Sequence, residues 1–320
     1  AGVLDAGGQH LDLTSFTADW RDQHLALARK LRVGFADGVS LDDLALRLGA
    51  ASLSVKGRVA PALDLTVALR AMPAVLARLA APQAKLAGMI SADAKLTGPA
   101  ARPAGTVTLR ATGLRATEGP GRTLKPAEIT ASATLAGGAA KLDVRVAAGA
   151  DRLSLAGSAP MGAGPLNLRA QGRIDLSALN ALVAAEGRQV RGRLALDALI
   201  TGSTAAPKIG GTMSLAGGEV QDIPLGLRLH DLSAEITGDG EAIRLVRLSG
   251  KAGPGTLAAS GTLSLAAPMP MALKLTAKDA QLLASELIRG TVDADLVVNG
   301  ELAGAMQASG TVTIGRTDIR

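Results

Sequence analysis

Side chains that carry chemistry are few in this 320-residue chain, and they stand far apart. Nucleophilic catalysis needs a Ser, Thr or Cys beside a base, and a catalytic metal needs clustered His, Cys or carboxylate ligands. The chain has no cysteine, which excludes disulfides and thiolate metal sites, and only three histidines, His10, His24 and His230. None of these histidines has a second ligand at helical or strand spacing. The sequence therefore favours surface or edge positions for all three.

Two acidic pairs are the remaining candidates for acid–base chemistry. Asp42 and Asp43 come just before an alternating segment, and Asp293 and Asp295 lie on the polar side of "TVDADLVVNG", whose other side is apolar. Both pairs are typical of a solvated strand face. The chain also lacks a G-x-S-x-G elbow, a P-loop and a complete dinucleotide-binding fingerprint. We therefore expect a protein that is not an enzyme and that uses no cofactor and no metal.

The composition favours a folded protein with an unusually aliphatic interior. Hydrophobic residues make up 48% of the chain, but Phe, Trp and Tyr together make up 1%, so the large buried areas that aromatic rings normally supply are missing. The formal net charge is +6, yet Lys and Arg occur singly at polar positions, without basic runs or interleaved aromatics. This distribution predicts a solvated outer face and no nucleic-acid partner. The longest apolar runs are too short to span a bilayer.

One strand pattern with a glycine on its apolar side recurs along the chain. The segment "SLSVKGRVA" contains Gly57, "RLSLAGSA" contains Gly157, and "TLAASGTLSL" contains Gly261, each within residues that alternate between apolar and polar. Successive copies are about 100 residues apart. A glycine inside a strand usually marks a bulge, a bend or a close approach of another backbone. The spacing predicts an array of repeated units.

Other landmarks keep the same period. A second strand, glycine, loop and strand series contains Gly105, Gly211 and Gly310. Between the two series, each copy has a helical pattern: "MPAVLARLA" from Met72, "DLSALNALVAA" from Asp175 and "DAQLLASELIRG" from Asp279. Hairpins are predicted at residues 137–138 and 238–240, where glycines separate alternating segments. These patterns divide the chain into 1–50, the end of a preceding unit, followed by 51–150, 151–255 and a truncated 256–320.

We predict a mainly β protein in which these units form one continuous, elongated, solenoid-like groove with a few short helices. A sheet with an apolar face, few helices and few aromatics buries that face most easily by curling on itself. Glycines on the inner side, Gly57, Gly157 and Gly261, would permit the curvature. The alternative is an ordinary sandwich in which the same glycines are bulges.

The ordered series of segments closely resembles the later repeats of the TamB family, the translocation and assembly module subunits of the AsmA-like group. The resemblance is strongest over residues 164–265, which begin "GPLNLRAQGRIDLSALNALV" and end "GPGTLAASGTLSL", and residues 35–82 resemble the preceding unit. It covers nearly the whole chain, although no single motif carries it. The family's N-terminal anchor does not occur in this sequence, so we expect the chain to be a piece of a longer protein.

The resemblance implies a periplasmic protein that is anchored in the inner membrane of Gram-negative bacteria and has an open, apolar groove known as a β-taco. It implies a partnership with the outer-membrane barrel protein TamA. It also links the chain to outer-membrane protein and autotransporter assembly and to phospholipid transport between the two membranes.

The apolar face and the strand edges of such a sheet suggest two functions. In the first, it conducts phospholipid acyl chains, and the lining residues are Leu53, Val55, Val107, Leu109, Leu153, Leu155, Met213, Leu215, Leu257, Leu263, Leu265, Val312 and Ile314. In the second, exposed strand edges template nascent outer-membrane proteins through backbone hydrogen bonds. A passive solenoid or adhesin is a third reading, and it requires a filled, dry interior. We favour the conduit, with protein assembly as a linked role.

Overall fold

A computed structural model describes the chain except for residues 6, 8, 21, 22, 80–82, 84, 184–186, 225, 285–287, 303 and 320. The structure is 75% strand and 5% helix. It divides into two compact units. Unit 1 contains Ala1–Arg122, Pro126–Gly149 and Ala156–Gly164, and unit 2 contains Thr123–Lys125, Ala150–Leu155 and Pro165–Arg320.

The strands of unit 1 are β1 (Gly2–Leu4), β2 (His10–Leu13), β3 (Thr17–Trp20), β4 (Gln23–Leu27), β5 (Leu31–Gly34), β6 (Val39–Leu48), β7 (Ala51–Ala60), β8 (Leu63–Pro73), β9 (Leu86–Gly98), β10 (Ala104–Ala116), β11 (Ala127–Ala136) and β12 (Ala139–Ala148). A 3₁₀ helix, Ala74–Leu79, lies between β8 and β9, and a 3₁₀ turn, Pro120–Thr123, follows β10. Strand β13 (Asp151–Pro160) has residues in both units.

The strands of unit 2 are β14 (Asn167–Asp175), β15 (Arg188–Gly202), β16 (Pro207–Asp222), β17 (Leu227–Gly240), β18 (Ala242–Ala252), β19 (Gly255–Ser264), β20 (Pro270–Ala284), β21 (Ile288–Glu301) and β22 (Met306–Ile319). Each pairs antiparallel with the next. A 3₁₀ helix, Leu176–Leu179, and the short helix α1 (Asn180–Val183) connect β14 to β15.

The sheet of unit 1 is a meander from β6 to β12 that divides at β6. Along one edge of β6, Leu41 pairs with Val33 of β5, and Leu48 pairs with Leu25 of β4. Strand β5 continues to β2 and β1, whereas β4 continues to β3. One edge of β6 therefore carries two separate arms of the sheet.

The apolar face of unit 1 is concave. Ala18 on β3 and Ile90 on β9 line the same cavity, although β4, β6, β7 and β8 lie between them in the pairing order. A flat sheet would hold these two strands far apart, since neighbouring strands are about 4.8 Å from each other. The predicted class, a mainly β protein with a curled open sheet and a few short helices, is confirmed.

Two of the predicted curvature glycines have backbone conformations that favour glycine. Gly57 has a φ of +115° and Gly157 a φ of +139°. At Gly57, a Cβ atom would also overlap the backbone oxygen of Asp64 on β8, far inside the 3.0 Å that real Cβ atoms keep. At Gly261 the φ is ordinary and the need is steric, because a Cβ atom would overlap the backbone oxygen of Ala272. The same overlap with a paired strand recurs at the second glycine series, Gly105, Gly211 and Gly310.

Two of the three predicted helices are confirmed, and the third is wrong. The pattern from Met72 gives the 3₁₀ helix, and the pattern from Asp175 gives the 3₁₀ helix and α1, with the Asp175 carboxylate accepting a hydrogen bond from Ser177 N at 3.0 Å. The pattern from Asp279 is instead the end of strand β20, as far as Ala284; residues 285–287 lie outside the described part. Pairing of Ala280 with Val292 on β21 overrides the local helical preference, and register shifts accommodate it.

The predicted hairpins are present. Gly137 and Gly138 both have positive φ, 58° and 81°, and form the two-residue turn between β11 and β12, as tight hairpins require. The second turn, between β17 and β18, falls at Glu241, and Asp239 Oδ1 accepts a hydrogen bond from Ala242 N at 3.0 Å.

The buried core is small and consists mainly of alanine. Among the described residues, the buried apolar side chains are Leu31, Ala45, Ala51, Ala74, Ala111, Ala198, Leu232, Ala252 and Ala280. The chain exposes 19268 Å² of surface, whereas a compact monomer of its mass exposes about 12,000 Å². Much of the apolar face therefore remains accessible.

Candidate functional site

The apolar face of unit 1 consists of rows of aliphatic side chains that cross the strands. Directly paired residues in an antiparallel sheet point to the same face. One row contains Leu46, Leu53, Leu69, Ala92, Leu109, Ala131 and Val144. The next contains Leu44, Val55, Val67, Ala94, Val107, Ala133 and Leu142. The structure thus brings Leu53, Val55, Val107 and Leu109 together on one face, and Leu109 is 36% exposed.

The apolar face of unit 2 is built in the same way from β14 to β22. One row contains Gly172, Leu196, Met213, Ile236, Leu245, Gly261, Leu273, Val298 and Ala308. The neighbouring row contains Ile174, Leu194, Leu215, Ala234, Leu248, Ala259, Leu275, Leu296 and Gly310. By the same register Leu257, Leu263, Val312 and Ile314 share this face. Val312 is 54% exposed and Ile314 is 72% exposed.

The remaining predicted lining residues lie at the ends of this pattern. Leu153 of β13 packs over Gly172, because a Cβ atom added to Gly172 would overlap the Cδ2 atom of Leu153. Leu153 therefore belongs to the unit 2 apolar face. Leu155 follows two residues later on the same strand and shares that side by alternation. Leu265 lies just beyond β19, where its N–H donates to the backbone oxygen of Glu241 at 2.9 Å.

A cavity of about 510 Å³ lies over the unit 1 apolar face. Its walls are Ala18, Leu25, Leu46, Arg47, Leu48, Ala51, Ser52, Leu53, Leu69, Met72, Pro73, Leu76 and Ile90. We call this space the unit 1 cavity. Sequence reasoning identified Leu53 in this wall but missed the contribution of the 3₁₀ helix through Leu76 and of the β3–β4 arm through Ala18 and Leu25. The helical pattern from Met72 was a usable signal for Leu76, whereas the short strands β3 and β4 have no distinctive pattern.

The opposite face of each unit is polar and carries ion pairs between neighbouring strands. In unit 1, Arg70 Nη2 lies 2.6 Å from Asp93 Oδ1. In unit 2, Arg169 makes two hydrogen bonds to Asp197, of 2.9 Å and 2.6 Å. Lys274 and Asp295 are 3.7 Å apart. These three ion pairs thus occupy the side away from the aliphatic rows, as the alternation predicted.

Comparison with known proteins gives one match. Residues 246–320, which contain most of β18 and all of β19 to β22, match the family described as TamB C-terminal domain. This match supports a relationship of the chain to the TamB family. The resemblance predicted from the ordered segments is therefore confirmed, and Gly261, Leu257 and Leu263 lie within the matched segment. No curated protein and no solved structure matched the chain.

At the level of the family, this match supports a TamB-family role in the bacterial envelope, in outer-membrane protein assembly or lipid transport. Among the described residues, no helix has the length and apolar character needed to cross a membrane.

The candidate acid–base residues of the chain have structural partners. His10 lies 3.3 Å from Asp5, His24 lies 2.6 Å from Asp19, and His230 lies 3.2 Å from Asp231. In the described part of the chain, no three His, Cys, Asp or Glu residues are grouped as metal ligands would be.

Three residues of the two acidic pairs are engaged in a similar way. Asp43 pairs with Arg29 at 2.8 Å, and Asp293 Oδ1 accepts a hydrogen bond from Asp279 N at 2.6 Å. Asp295 is the partner of Lys274. These carboxylates join neighbouring segments of the sheet.

Acid should weaken the polar face, and Asp197 offers a direct measurement. Its hydrogen bonds from Arg169, with a smaller contribution from Gln171, lower the pKa of Asp197 below its ordinary value. A lowered folded-state pKa stabilises the fold above a pH of about 4, and this contribution is lost as the pH falls through the lowered pKa. Because the pair is exposed, the effect on stability is small. We expect Arg169→Gln to raise the pKa of Asp197 toward its ordinary value in a carboxyl NMR titration.

A matched variant in unit 1 provides the control for this titration. Arg70 is the main cause of the lowered pKa of Asp93, so Arg70→Gln should move the pKa of Asp93 and leave that of Asp197 unchanged. A pKa of Asp197 that stays the same in Arg169→Gln would contradict the assignment.

Proposed function

We propose that this TamB chain conducts phospholipid acyl chains along its apolar sheet faces, as part of a periplasmic bridge between the inner and outer membranes. The observation that carries the proposal is the uninterrupted series of aliphatic rows from β6 to β12 in unit 1 and from β14 to β22 in unit 2. No charged residue occurs in the four rows given above.

The aliphatic rows lower the main energetic barrier to lipid movement. Each methylene group exposed to water costs about 0.8 kcal/mol, so one acyl chain of about sixteen carbons costs on the order of 12 kcal/mol. Contact with leucine, valine and isoleucine side chains removes much of that cost. Transport along such a face makes and breaks no covalent bond, so the proposal assigns no catalytic step to the chain.

The low aromatic content supports the same function. A core filled by large rings would leave no room for a lipid, whereas the rows here consist of leucine, isoleucine, valine and methionine interspersed with alanine and glycine. The half-exposed Leu109 and Leu153, at 36% and 38%, are accessible to a guest. An interior packed tightly with side chains, as a passive solenoid requires, would bury them.

The match of residues 246–320 to the TamB C-terminal domain supports the wider setting of this proposal. We place the chain in the periplasm, with the outer-membrane barrel protein TamA as its partner and the inner membrane as the site of its anchor. Assembly of outer-membrane proteins and autotransporters is then a linked role, in which nascent strands are the clients.

Site-specific photo-crosslinking tests the conduit. A photoreactive amino acid at Leu155 or Leu263, in cells that make the protein, should form adducts with phospholipid. The same amino acid at Ser154 or Thr262, one residue away on the polar face, serves as the matched control and should capture little lipid. Absence of lipid adducts at Leu155 and Leu263 would refute the conduit. Capture of client polypeptide in their place would favour strand templating.

A further inference from the structure

The unit 1 cavity differs from the rest of the apolar face because it is walled on several sides. Its floor is formed by residues of β6 to β9, including Leu53 and Leu69. Leu25 of the β3–β4 arm forms one side, and Leu76 of the 3₁₀ helix forms another. The helix itself is held by Ala74, which has no exposed surface. An open sheet face is thereby turned into a pocket.

The wall of the unit 1 cavity offers few hydrogen-bonding groups to water. Among the described residues of this wall, only Arg47 and Ser52 are polar. These two are paired with each other on β6 and β7, and they alternate with the inward residues Leu46, Leu48 and Leu53. Their polar ends therefore belong to the opposite face. An ordered water needs two to four polar partners, so this lining favours an apolar guest over ordered water.

The size of the cavity specifies the guest further. A dry apolar cavity of about 150 Å³ holds one benzene ring, or about 25 Å³ for each carbon atom. At that density, 510 Å³ holds about twenty carbon atoms. This is the size of one long acyl chain and is too small for both chains of a diacyl lipid.

We infer that the unit 1 cavity is a discrete binding site for a single acyl chain, where a lipid pauses with one chain enclosed. The inference rests on the proposed function. It adds a defined position for the lipid and a capacity of one acyl chain. The shared chemistry is a saturated or monounsaturated hydrocarbon tail. Its source is either a single-chain lipid, such as a fatty acid, or one tail of a diacyl phospholipid.

Photoaffinity labelling of the purified 320-residue chain tests the site. The probes are a fatty acid with a diazirine near its methyl end and a diacyl phospholipid with the same group in one tail, and adducts are located by peptide mass spectrometry. We expect adducts in β6 to β9, with no more than one adduct on each protein molecule. Labelling by the fatty acid alone identifies a single-chain ligand, and labelling by both probes identifies a phospholipid tail; either result supports the site.

Filling the cavity should remove this labelling. Leu69→Trp takes the room of two or three methylene groups, which predicts a loss of about tenfold or more in binding. Thr66→Trp places the same ring on the exposed face of the same strand and should leave labelling unchanged. Met72→Trp fills the cavity from another position, in case Leu69→Trp fails to fold.

The outcomes separate this inference from the conduit. Adducts in unit 2 but not in β6 to β9 would overturn the cavity site and leave the conduit intact. Adducts in β6 to β9 that persist in folded Leu69→Trp and Met72→Trp would also overturn the site. Adducts in neither unit would overturn both proposals.

Discussion

Gly57→Ala is expected to destabilise unit 1 by about 3–5 kcal/mol. The φ of +115° disfavours any residue with a Cβ atom, and the space for that atom is taken by the backbone oxygen of Asp64. Relief of the overlap requires β7 and β8 to separate locally, which breaks hydrogen bonds of the sheet. Urea unfolding followed by circular dichroism measures the change.

Gly162→Ala is the matched control for this substitution. Gly162 is also in unit 1, its φ is outside the left-handed region, and nothing lies within 4 Å of the added Cβ atom. Its stability should stay within about 0.5 kcal/mol of the native chain. If Gly57→Ala were equally stable, the close approach of β7 and β8 would not require glycine.

Leu263→Asp is expected to slow phospholipid transfer by about tenfold or more while the chain stays folded. Leu263 lies on the unit 2 apolar face between Ile243 and Met271. A carboxylate at this position keeps water on the path of the acyl chain. If two methylene groups of the acyl chain stay hydrated beside it, the cost is about 1.6 kcal/mol, which slows transfer about tenfold. Because Leu263 is only half-buried, the carboxylate reaches solvent and the sheet tolerates it. Transfer of labelled phospholipid between donor and acceptor membranes measures the rate.

Thr262→Asp places the same charge one residue earlier on the opposite face. Thr262 is exposed and pairs with Arg244, which favours a carboxylate at that position. Transfer should therefore match that of the native chain. Equal rates for Leu263→Asp and the native chain, with both proteins folded, would count against an acyl path over this face.

The open apolar faces and the small core follow from the same composition. Alanine and glycine let neighbouring strands and side chains pack closely, but they bury little area, so the strands depend on hydrogen bonds to their neighbours. The glycines at which a Cβ atom would overlap a paired strand permit this close approach. The aliphatic rows beside them remain available for a ligand.

Much of this architecture was predictable from local patterns. Alternation of apolar and polar residues is a property of adjacent positions, so the sequence indicates the strand sides of Leu53, Val107, Met213 and Val312. The ordered segments also led to the TamB family, which the match at residues 246–320 supports.

The tertiary structure decided which strands meet. The segment from Asp279 has a helical pattern, yet it forms a strand because β21 lies beside it and pairs with Ala280. The β3–β4 arm closes one side of the unit 1 cavity because β6 divides its edge between β4 and β5. The alternation of apolar and polar residues in a strand is set by the residues of that strand. Closure of the unit 1 cavity depends instead on hydrogen bonds between residues far apart in the chain. The sequence alone therefore determined the faces, and only the fold determined the cavity.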